Sequence, residues 1–445
     1  MVLSLMQATR VSNSSVIAFT GAGGKTTAMF QLARELSAKS PVLVAASSHL
    51  GAWQVPLADK HLLVNSAEVF KTLENALQGI TLLTGELDGE RTKPLDEDTL
   101  NRLKEFCRRR SIPLLIEADG SRQKPLKAWA EHEPPIPPMV NQVVQVVGLE
   151  GIRKPLSDEI VHRPEIFSKL SGLSLGEIIT PEALTRVLIH PEGGQKNTPP
   201  DARKTILLNQ ADAPELQSVA QGMVGTLLQI FDSVLITSLK KGEIFAVYEP
   251  VAGVVLAAGE SSRFGKPKQL LNWNGQPFVR AVAKTALDAG LAPVIVVTGA
   301  NGENVRAAVQ DLNVYIVTNE NWRSGQASSI RKGVQALKTN SDVGAVIFLL
   351  VDQPQVTKSI LQALREKHAE GLFPVVAPMV MDQRANPVLF DQVTFPDLME
   401  LEGDVGGRAI MHKHRVEYLP WHDDRLLLDV DTPEQYQRLI SDETL

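Results

Sequence analysis

Residues 254–271, VVLAAGESSRFGKPKQLL, decide the fold of the second half of the chain. An apolar strand at the start of this stretch runs directly into a loop of small residues, and several cations follow. Small residues let the backbone approach a ligand closely, and cations behind them neutralise phosphate charge. The stretch therefore predicts a loop that holds a polyphosphate. A strand-to-helix turn with a solvated basic edge is the alternative.

The predicted nucleotide contacts of this loop come from its backbone and its small side chains. They are Leu256, Ala257, Ala258, Gly259, Ser261 and Gly265. Among the cations, Arg263 and Lys268 are the predicted catalytic residues, because they can neutralise phosphate charge, and Lys266 is a weaker candidate.

The rest of the second half alternates apolar strands with amphipathic helices. The predicted strands are 293–298, 314–317 and 345–351, and the predicted helices are 278–287 and 304–309. This alternation predicts a mainly parallel, Rossmann-like sheet that is covered on both faces. Asp352 follows the last of these strands at the same sheet edge as the loop, where a carboxylate can bind a Mg²⁺ ion that bridges nucleotide phosphates.

The loop resembles the signature LAAGxSxRxGxxKxLL of the MobA-like nucleotidyltransferases, and its LAAG form is most similar to the molybdenum cofactor cytidylyltransferases. The resemblance implies that Asp352 and Asp431 are the Mg²⁺ ligands, with Asp429 on the other face of a strand that ends there. It also implies that Gly325 and Ser328 line the nucleotide pocket. Residues 384–390, RANPVLF, depart from the family's RGHPVLF, so its histidine contact to the pterin is not carried over.

The resemblance implies a Mg²⁺-dependent enzyme that transfers CMP from CTP to Mo-molybdopterin and releases pyrophosphate. Positioning and charge neutralisation supply most of the rate in such a transfer. Two alternatives stay open. The first alternative is another cytidylyltransferase or a sugar-phosphate nucleotidyltransferase. The second is an NTP-switched protein that binds and delivers the cofactor.

The first half opens with its own phosphate-binding pattern. A short apolar strand at 16–19 is followed by TGAGGKTT and by an amphipathic helix, which is the context that a P-loop requires. The predicted nucleotide contacts are Gly23, Gly24, Lys25 and Thr26. A full Walker A motif would have glycine where Phe19 stands, so the loop is a variant, and a structural glycine turn is the alternative.

Two further strand ends carry candidate ligands in the first half. The predicted strand 113–118 contains Glu117 and leads into Asp119. Because side chains alternate along a strand, only one of these two acids is expected to face a metal, and Asp119 is the predicted Mg²⁺ ligand. The alternative is that Asp119 is only a turn residue before Gly120. After the predicted strand 205–208, Asn209 and Asp212 resemble the NKxD element with which many GTPases read guanine.

The motifs GAGGKTT, EADGS, EHEPPIP, HRPEIF and NQAD follow one another as in the YqeC-like family, over about residues 14–240. That family is associated with the maturation of selenium-dependent molybdenum hydroxylases. The resemblance therefore implies an NTP-binding accessory domain and the apo-enzyme of a molybdenum hydroxylase as a partner.

Length and composition agree with a protein of two domains. The chain has 445 residues, of which 43% are hydrophobic and 22% are charged, and its net charge of -6 argues against broad nucleic-acid binding. The chain start lacks a signal-peptide core and no apolar run is long enough for a membrane helix, so a cytoplasmic protein is expected. Glu249-Pro250 breaks the pattern, which predicts α/β domains at 1–249 and 250–445, each with three layers. The first is a variant P-loop NTPase-like domain and the second a Rossmann-like nucleotidyltransferase domain.

Overall fold

The structure is a computed structural model that describes residues 3–65, 68–260, 264–340 and 342–441. The chain divides into two compact units, Met1–Tyr248 and Glu249–Leu445. Both units consist of sheets of largely parallel strands with helices, so the predicted α/β class is confirmed. None of the described helices is long and apolar enough to cross a membrane.

The first unit is built on one large sheet. Its strands are β1 (Val16–Gly21), β2 (Val42–Ala46), β3 (Lys60–Leu63), β4 (Ile80–Thr84), β5 (Leu114–Glu117), β6 (Gln142–Gly148), β7 (Arg203–Asn209), β8 (Ser233–Ser238) and β9 (Glu243–Tyr248). Within the described residues these nine strands lie in the order β9-β8-β7-β6-β1-β5-β2-β4-β3. Neighbouring strands are parallel except for the antiparallel pair β8 and β9.

Helices cover this sheet. They are α1 (Leu5–Ala8), α2 (Lys25–Ser37), α3 (Val69–Ala76), α4 (Glu97–Arg110), α5 (Pro164–Ser171), α6 (Pro181–Ile189) and α7 (Pro214–Leu227). Strand β1 is buried along its whole length, and α2 follows it and buries the face that contains Met29, Leu32, Ala33 and Leu36. These apolar residues recur with the helical period, so one side of α2 packs against the sheet. The phosphate loop thus lies between a central strand and a packed helix.

The second unit also has a central sheet. Its strands are β10 (Val251–Ala257), β11 (Val294–Thr298), β12 (Tyr315–Thr318), β13 (Ala345–Leu350), β14 (Val375–Val380), β15 (Gln383–Arg384), β16 (Val388–Asp391) and β17 (Val416–Pro420). They lie in the order β12-β11-β10-β13-β16-β14-β15, and β17 pairs with β14. Strands β10 to β13 are parallel to one another, and β16 is antiparallel to β13.

Helices lie on both faces of this second sheet. They are α8 (Phe278–Asp288), α9 (Gly302–Val309), α10 (Gln326–Asn340), α11 (Lys358–Ala369), α12 (Phe395–Met399) and α13 (Pro433–Ser441). Val254 and Val255 are neighbours on β10 but belong to different apolar clusters, because successive side chains of a strand point to opposite faces. The sheet is therefore buried on both sides, as its apolar strands predicted.

Short pairs of two-residue strands complete the fold. They are Leu87–Asp88 with Arg91–Thr92, Leu126–Lys127 with Val161–His162, and Asn272–Trp273 with Gln276–Pro277.

The prediction of a strand before Asp429 is wrong. Leu426 and Leu427 belong to a 3-10 helix, Asp424–Leu427, in which Leu426 is buried, and Leu428 directly follows this helix. A short apolar run fits a buried strand and a buried helical turn equally well, so the pattern alone did not separate them.

Cys107 is the only cysteine of the sequence, and it lies on the buried face of α4. Burial raises the pKa of its thiol to about 12. The thiol therefore stays protonated and shielded at neutral pH.

Candidate functional site

A cavity of about 580 Å³ lies in the second unit, where β10 runs into the phosphate loop. Leu256, Ala258 and Gly259 of the predicted loop form part of its wall, and Lys268 and Asp352 also reach it. The carboxyl ends of the parallel strands β10 and β13 thus meet at one pocket, as is usual for open α/β sheets.

Lys268 joins the two aspartates that the resemblance implies as metal ligands. Its Nζ lies 3.6 Å from Oδ2 of Asp352 and donates a hydrogen bond to Oδ1 of Asp431. The lysine side chain is mostly buried, since only 11% of it is exposed. The structure therefore places three residues that are far apart in sequence in one charged cluster.

Asp352 has a free acceptor. Its Oδ1 atom is buried and receives no hydrogen bond from any residue that the structure describes. Burial, together with the nearby charges of Asp429 and Asp431, raises the pKa of Asp352 to about 6, although Lys268 acts in the opposite direction. A buried carboxylate oxygen without a donor is the kind of atom that a cation satisfies, so the site fits Mg²⁺.

Carboxylates do not enclose a metal by themselves here. Among the described residues, no group of three or more His, Cys, Asp or Glu side chains is placed to hold an ion. Mg²⁺ commonly binds one or two carboxylates together with substrate phosphates and water. If Asp352 and Asp431 hold Mg²⁺, nucleotide phosphates and water would have to supply the remaining ligands.

Asp429 lies closer to this cluster than the sequence predicted. Gln353 Nε2 donates a 2.7 Å hydrogen bond to its Oδ1 atom, and burial and the charge of Asp431 raise the pKa of Asp429. The expectation that Asp429 faces away rested on an extended strand. Because this segment follows a 3-10 helix instead, strict alternation does not apply to it.

A second wall of the cavity comes from the loop that leads into α10. Gly325 has a left-handed φ of 100°, and a Cβ at this position would overlap the carbonyl oxygen of Gly403. Asn319 Nδ2 donates hydrogen bonds of 2.8 Å to Ser328 Oγ and 3.0 Å to Ser329 Oγ. Ser328 thus holds the loop, whereas Gly325 and Ser329 line the cavity.

A smaller cavity of about 220 Å³ shares Leu256, Gln326 and Leu350 with the first. Asn386 and Arg408 also line it, and Arg408 Nη2 donates a 3.2 Å hydrogen bond to Asn386 Oδ1. Burial and the neighbouring charge of Arg384 lower the pKa of Arg408. A cationic subsite therefore adjoins the predicted nucleotide pocket.

The other predicted loop residues have different placements. Ser261 and Arg263 lie outside the described residues. Gly265 and Lys266 are exposed and do not line the cavity. The carbonyl oxygen of Ala257 accepts a 3.1 Å hydrogen bond from Gln269 Nε2, so Ala257 positions the loop through its backbone.

The phosphate loop of the first unit is shaped by its glycines. Gly23 and Gly24 have left-handed φ angles of 77° and 120°, and a Cβ on Gly24 would overlap Asn209 Nδ2. That nitrogen donates a 2.7 Å hydrogen bond to the carbonyl oxygen of Gly23. Asn209 therefore holds the loop in place from the end of β7.

Lys25 is buried in an ion cluster at the start of α2. Its Nζ lies 3.0 Å from Asp119 Oδ1 and 3.4 Å from Glu117 Oε1. Burial opposes the charge of Lys25, but the two carboxylates outweigh it and raise its pKa. Burial also raises the pKa of Glu117.

The two acidic residues have different environments. Asp119 receives hydrogen bonds from the Gly21 backbone N–H, Lys127 Nζ and Trp129 Nε1, so its carboxylate is already saturated. Glu117 instead lines the cavity in front of the loop and accepts a 3.0 Å hydrogen bond from Thr26 Oγ1. The geometry favours Glu117 over the predicted Asp119 as a cation ligand.

The candidate guanine-reading element lies beside the loop. Asn209 Oδ1 accepts a 2.9 Å hydrogen bond from the Leu239 backbone N–H, and Ser238 Oγ donates to Asp212 Oδ1. The ends of β7 and β8 are thereby joined to the phosphate loop. Asp212 itself does not line the cavity in front of the loop.

That cavity has a volume of about 550 Å³, and Gly23, Gly24, Lys25 and Thr26 form its floor. Sequence reasoning missed several other residues of its wall. They are Trp53, Arg91, Arg122 and Arg163. Trp53 lies in a 3-10 helix and Arg91 in a two-residue strand, and neither segment carries a recognisable motif. Arg163 lies within HRPEIF and Arg122 directly follows EADGS, but only the folded chain brings all four together.

Known proteins resemble each unit separately. Residues 253–418 match the model of the MobA-like NTP transferase domain, and residues 17–165 match the model of the YqeC protein. Nicotine blue oxidoreductase of Paenarthrobacter nicotinovorans is 33% identical over 199 residues, which is 43% of this chain and 96% of that protein.

Two proteins of Escherichia coli (strain K12) are also similar. The uncharacterized protein YqeC is 30% identical over 223 residues, which is 49% of this chain and 84% of YqeC. The molybdenum cofactor cytidylyltransferase is 24% identical over 186 residues, which is 41% of this chain and 92% of that enzyme. Both resemblances found in the sequence motifs are thus confirmed. The chain is therefore a nucleotidyltransferase that belongs to the MobA-like family through residues 253–418 and to the YqeC family through residues 17–165.

Proposed function

We propose that the second unit is a molybdenum cofactor cytidylyltransferase, which transfers CMP from CTP to Mo-molybdopterin. The observation that carries this proposal is the cluster of Lys268, Asp352 and Asp431, of which Lys268 and Asp352 line the loop cavity. The LAAG form of the loop and the similarity to a molybdenum cofactor cytidylyltransferase support cytosine as the base.

In the proposed reaction, an oxygen of the acceptor's terminal phosphate attacks the α-phosphorus of CTP. The bond between the α-phosphorus and its bridging oxygen breaks, and pyrophosphate leaves with that oxygen. The backbone around Ala258 and Gly259 positions the phosphates, and Lys268 and Arg263 stabilise the charge of the leaving group. Asp352 and Asp431 would hold Mg²⁺, which neutralises phosphate charge when bound.

The acceptor phosphate is expected to bind in the adjoining smaller cavity. Arg408 lines that cavity, and the nearby charge of Arg384 makes the surroundings cationic. Guanidinium groups bind phosphate through paired hydrogen bonds. Asn386 stands where the family has histidine, so a neutral amide replaces an imidazole at this point.

Pyrophosphate release from a panel of nucleotides tests this proposal. The full chain is incubated with Mo-molybdopterin, Mg²⁺ and CTP, GTP, ATP or UTP, and we expect CTP to be preferred by about 100-fold or more. Preference for GTP, or turnover only with sugar phosphates, would contradict it. The assay also separates the proposal from the activity stated in the name of the Paenarthrobacter relative, because pyrophosphate leaves only in nucleotidyl transfer.

We further propose that the first unit binds an NTP and serves the maturation of a molybdenum hydroxylase apo-enzyme. The phosphates would lie on Gly23, Gly24, Lys25 and Thr26, with Glu117 beside a bound cation. Asn209 at the end of β7 and Asp212 shortly after it support guanine as the base. Calorimetric titration of the full chain with GTP and ATP, with CTP present to fill the second unit, measures this binding. Lys25→Ala is expected to weaken it by about 100-fold, and equal binding by this variant would contradict the proposal.

A further inference from the structure

The phosphate loop of the first unit has ligand-binding side chains on two sides. Asn209 and Asp212 follow β7, and Ser238 ends β8. Much of the wall of the 550 Å³ cavity comes from segments after β2, β4 and β5, although Arg163 after β6 and Gln210 after β7 also line it. In the sheet, β6, β7 and β8 lie on one side of β1, whereas β5, β2 and β4 lie on the other. Arg91, Arg122 and Trp53 thus come from segments that follow strands on the side of β1 opposite β7, which carries the candidate guanine-reading residues.

The wall of this cavity is rich in cations, and most of them have acidic partners. Lys25 is paired with Asp119. Lys124 Nζ lies 2.6 Å from Asp158 Oδ1, and Arg163 Nη2 donates a 2.8 Å hydrogen bond to Glu133 Oε1. These pairs fix the cationic groups of the cavity wall but leave them little excess charge.

Arg91 and Arg122 also line the cavity and are exposed. Within the described part of the chain, neither guanidinium has an ion pair or a hydrogen bond to a carboxylate. Hydrogen bonding from Lys124, followed by the charges of Lys124 and Arg122, lowers the pKa of Asp158, so Arg122 lies near this carboxylate without a direct contact. Both guanidinium groups can offer their hydrogen-bond donors to a ligand.

Two further features mark this part of the cavity, one electrostatic and one conformational. Burial and the charges of Arg163, Lys127 and Arg122 lower the pKa of His162, another wall residue, to about 4. Arg122 and Gln123 have consecutive left-handed φ angles of 51° and 62°. Such angles are unfavourable for residues with a side chain, and they concentrate at ligand-binding loops.

We propose that this cavity is a second ligand site, which binds the phosphate group of a phosphorylated small molecule through Arg91 and Arg122. Arginine suits this task because its planar guanidinium matches phosphate with paired donors. Trp53, a residue that is 64% exposed, lines the same cavity and offers an aromatic face to a planar part of that molecule. The inference rests on the proposed NTP site, because it places the second ligand next to the terminal phosphate held by Lys25 and Thr26.

Calorimetric titration with inorganic phosphate tests the second site in the full chain. The first unit is saturated with GMPPNP or AMPPNP, whichever binds, and CTP fills the second unit. Arg91→Ala and Arg122→Ala are expected to weaken phosphate binding by about tenfold or more and to affect the nucleotide analogue far less. Arg34→Ala, at an exposed arginine of α2, is the matched control and should leave phosphate binding unchanged.

The outcomes separate the two proposals. Absence of phosphate binding in the nucleotide-loaded protein, or equal loss of phosphate and nucleotide in Arg122→Ala, overturns the second site, because the arginines then belong to the NTP. If Lys25→Ala leaves nucleotide binding intact while Arg122→Ala still weakens phosphate binding, the NTP site fails and the anion site stands.

Discussion

Lys268 neutralises two carboxylates of the second unit at once, through contacts with Asp352 and Asp431. A bound Mg²⁺ would take over this task and leave the ammonium group to the phosphates. The lysine therefore neutralises the carboxylates when no metal is bound and contacts the phosphates when metal and nucleotide are bound. A neutral side chain can do neither.

Lys268→Ala is expected to lower turnover by about 100-fold or more, because it removes a charge that stabilises the leaving pyrophosphate. Pyrophosphate release at saturating CTP and Mo-molybdopterin measures the effect. Lys284→Ala, at an exposed position of α8, is the control. Turnover near that of the unmodified protein would remove Lys268 from the mechanism.

The raised pKa of Asp352 predicts how the activity depends on pH. Below its pKa of about 6 the carboxyl group is protonated and cannot bind a cation, so kcat/KM should fall as the pH drops through that value. Higher Mg²⁺ competes with the proton and should move the midpoint to lower pH. A profile of kcat/KM at two Mg²⁺ concentrations checks this. If the midpoint of the pH profile does not change with Mg²⁺ concentration, the titrating group is not Asp352.

The same shift predicts a conflict between stability and activity. Because the folded state raises the pKa of Asp352 above its usual 3.8, the folded protein loses stability as the pH rises from about 4 to about 6. Asp352→Asn removes this charge and should stabilise the second unit at neutral pH, by on the order of 2 kcal/mol, while abolishing Mg²⁺-dependent turnover. Urea unfolding at pH values on either side of this range measures the gain, which should vanish at low pH.

Asp311→Asn provides a contrast in the same unit. Arg280 donates hydrogen bonds to Asp311 and lowers its pKa to about 2, which is the opposite direction. This variant should therefore show no gain in stability at neutral pH.

At the scale of elements, the loop before α10 is held in one shape by its contacts with residues 403–404. Gly325 makes this shape accessible, since its φ is left-handed and a Cβ would overlap Gly403. The backbone N–H of Gln326 also donates a 3.1 Å hydrogen bond to Asp404 Oδ1.

Gly325→Ala should displace this loop and raise the KM for CTP by about tenfold or more, because the cavity wall moves with it. Steady-state kinetics at varied CTP gives the value. Gly302→Ala is the matched control, since a Cβ there meets only ordinary contacts of 3.5 Å at the start of α9. Equal effects of both substitutions would mean that the loop does not position the nucleotide.

The elements that the sequence predicted well are those whose signal is local. The strands that carry both phosphate loops and the helix after Gly24 follow from apolar periodicity and from glycines with adjacent cations. The segment at 426–428 failed because three leucines in a row carry no period.

The candidate sites were predictable only in part, for a related reason. Lys268 and Asp352 follow strand ends, so sheet topology brings them together. Trp53 lies in a short 3-10 helix and Arg122 in a turn, and only the folded chain brings both to one cavity. Likewise, the choice between Glu117 and Asp119 depended on Lys127 and Trp129, which occupy one carboxylate and not the other.

For the whole molecule, the two families on one chain imply two nucleotide sites with different preferences. Hydrogen exchange read by mass spectrometry can follow both in one experiment. CTP should slow exchange in peptides that cover 254–260 and 322–330, and GTP should slow it in peptides that cover 21–27, because bound ligands suppress local opening. Protection of 21–27 by CTP alone would contradict the assignment of cytosine to the second unit.

The buried thiol of Cys107 has a practical consequence for such experiments. Because the only native cysteine is shielded and protonated, alkylating dyes should leave the folded protein unlabelled. A cysteine introduced on the surface would then be the single reactive thiol. Fluorophores can thus be attached beside either phosphate loop without first removing a native residue, and each site can report its own ligand optically.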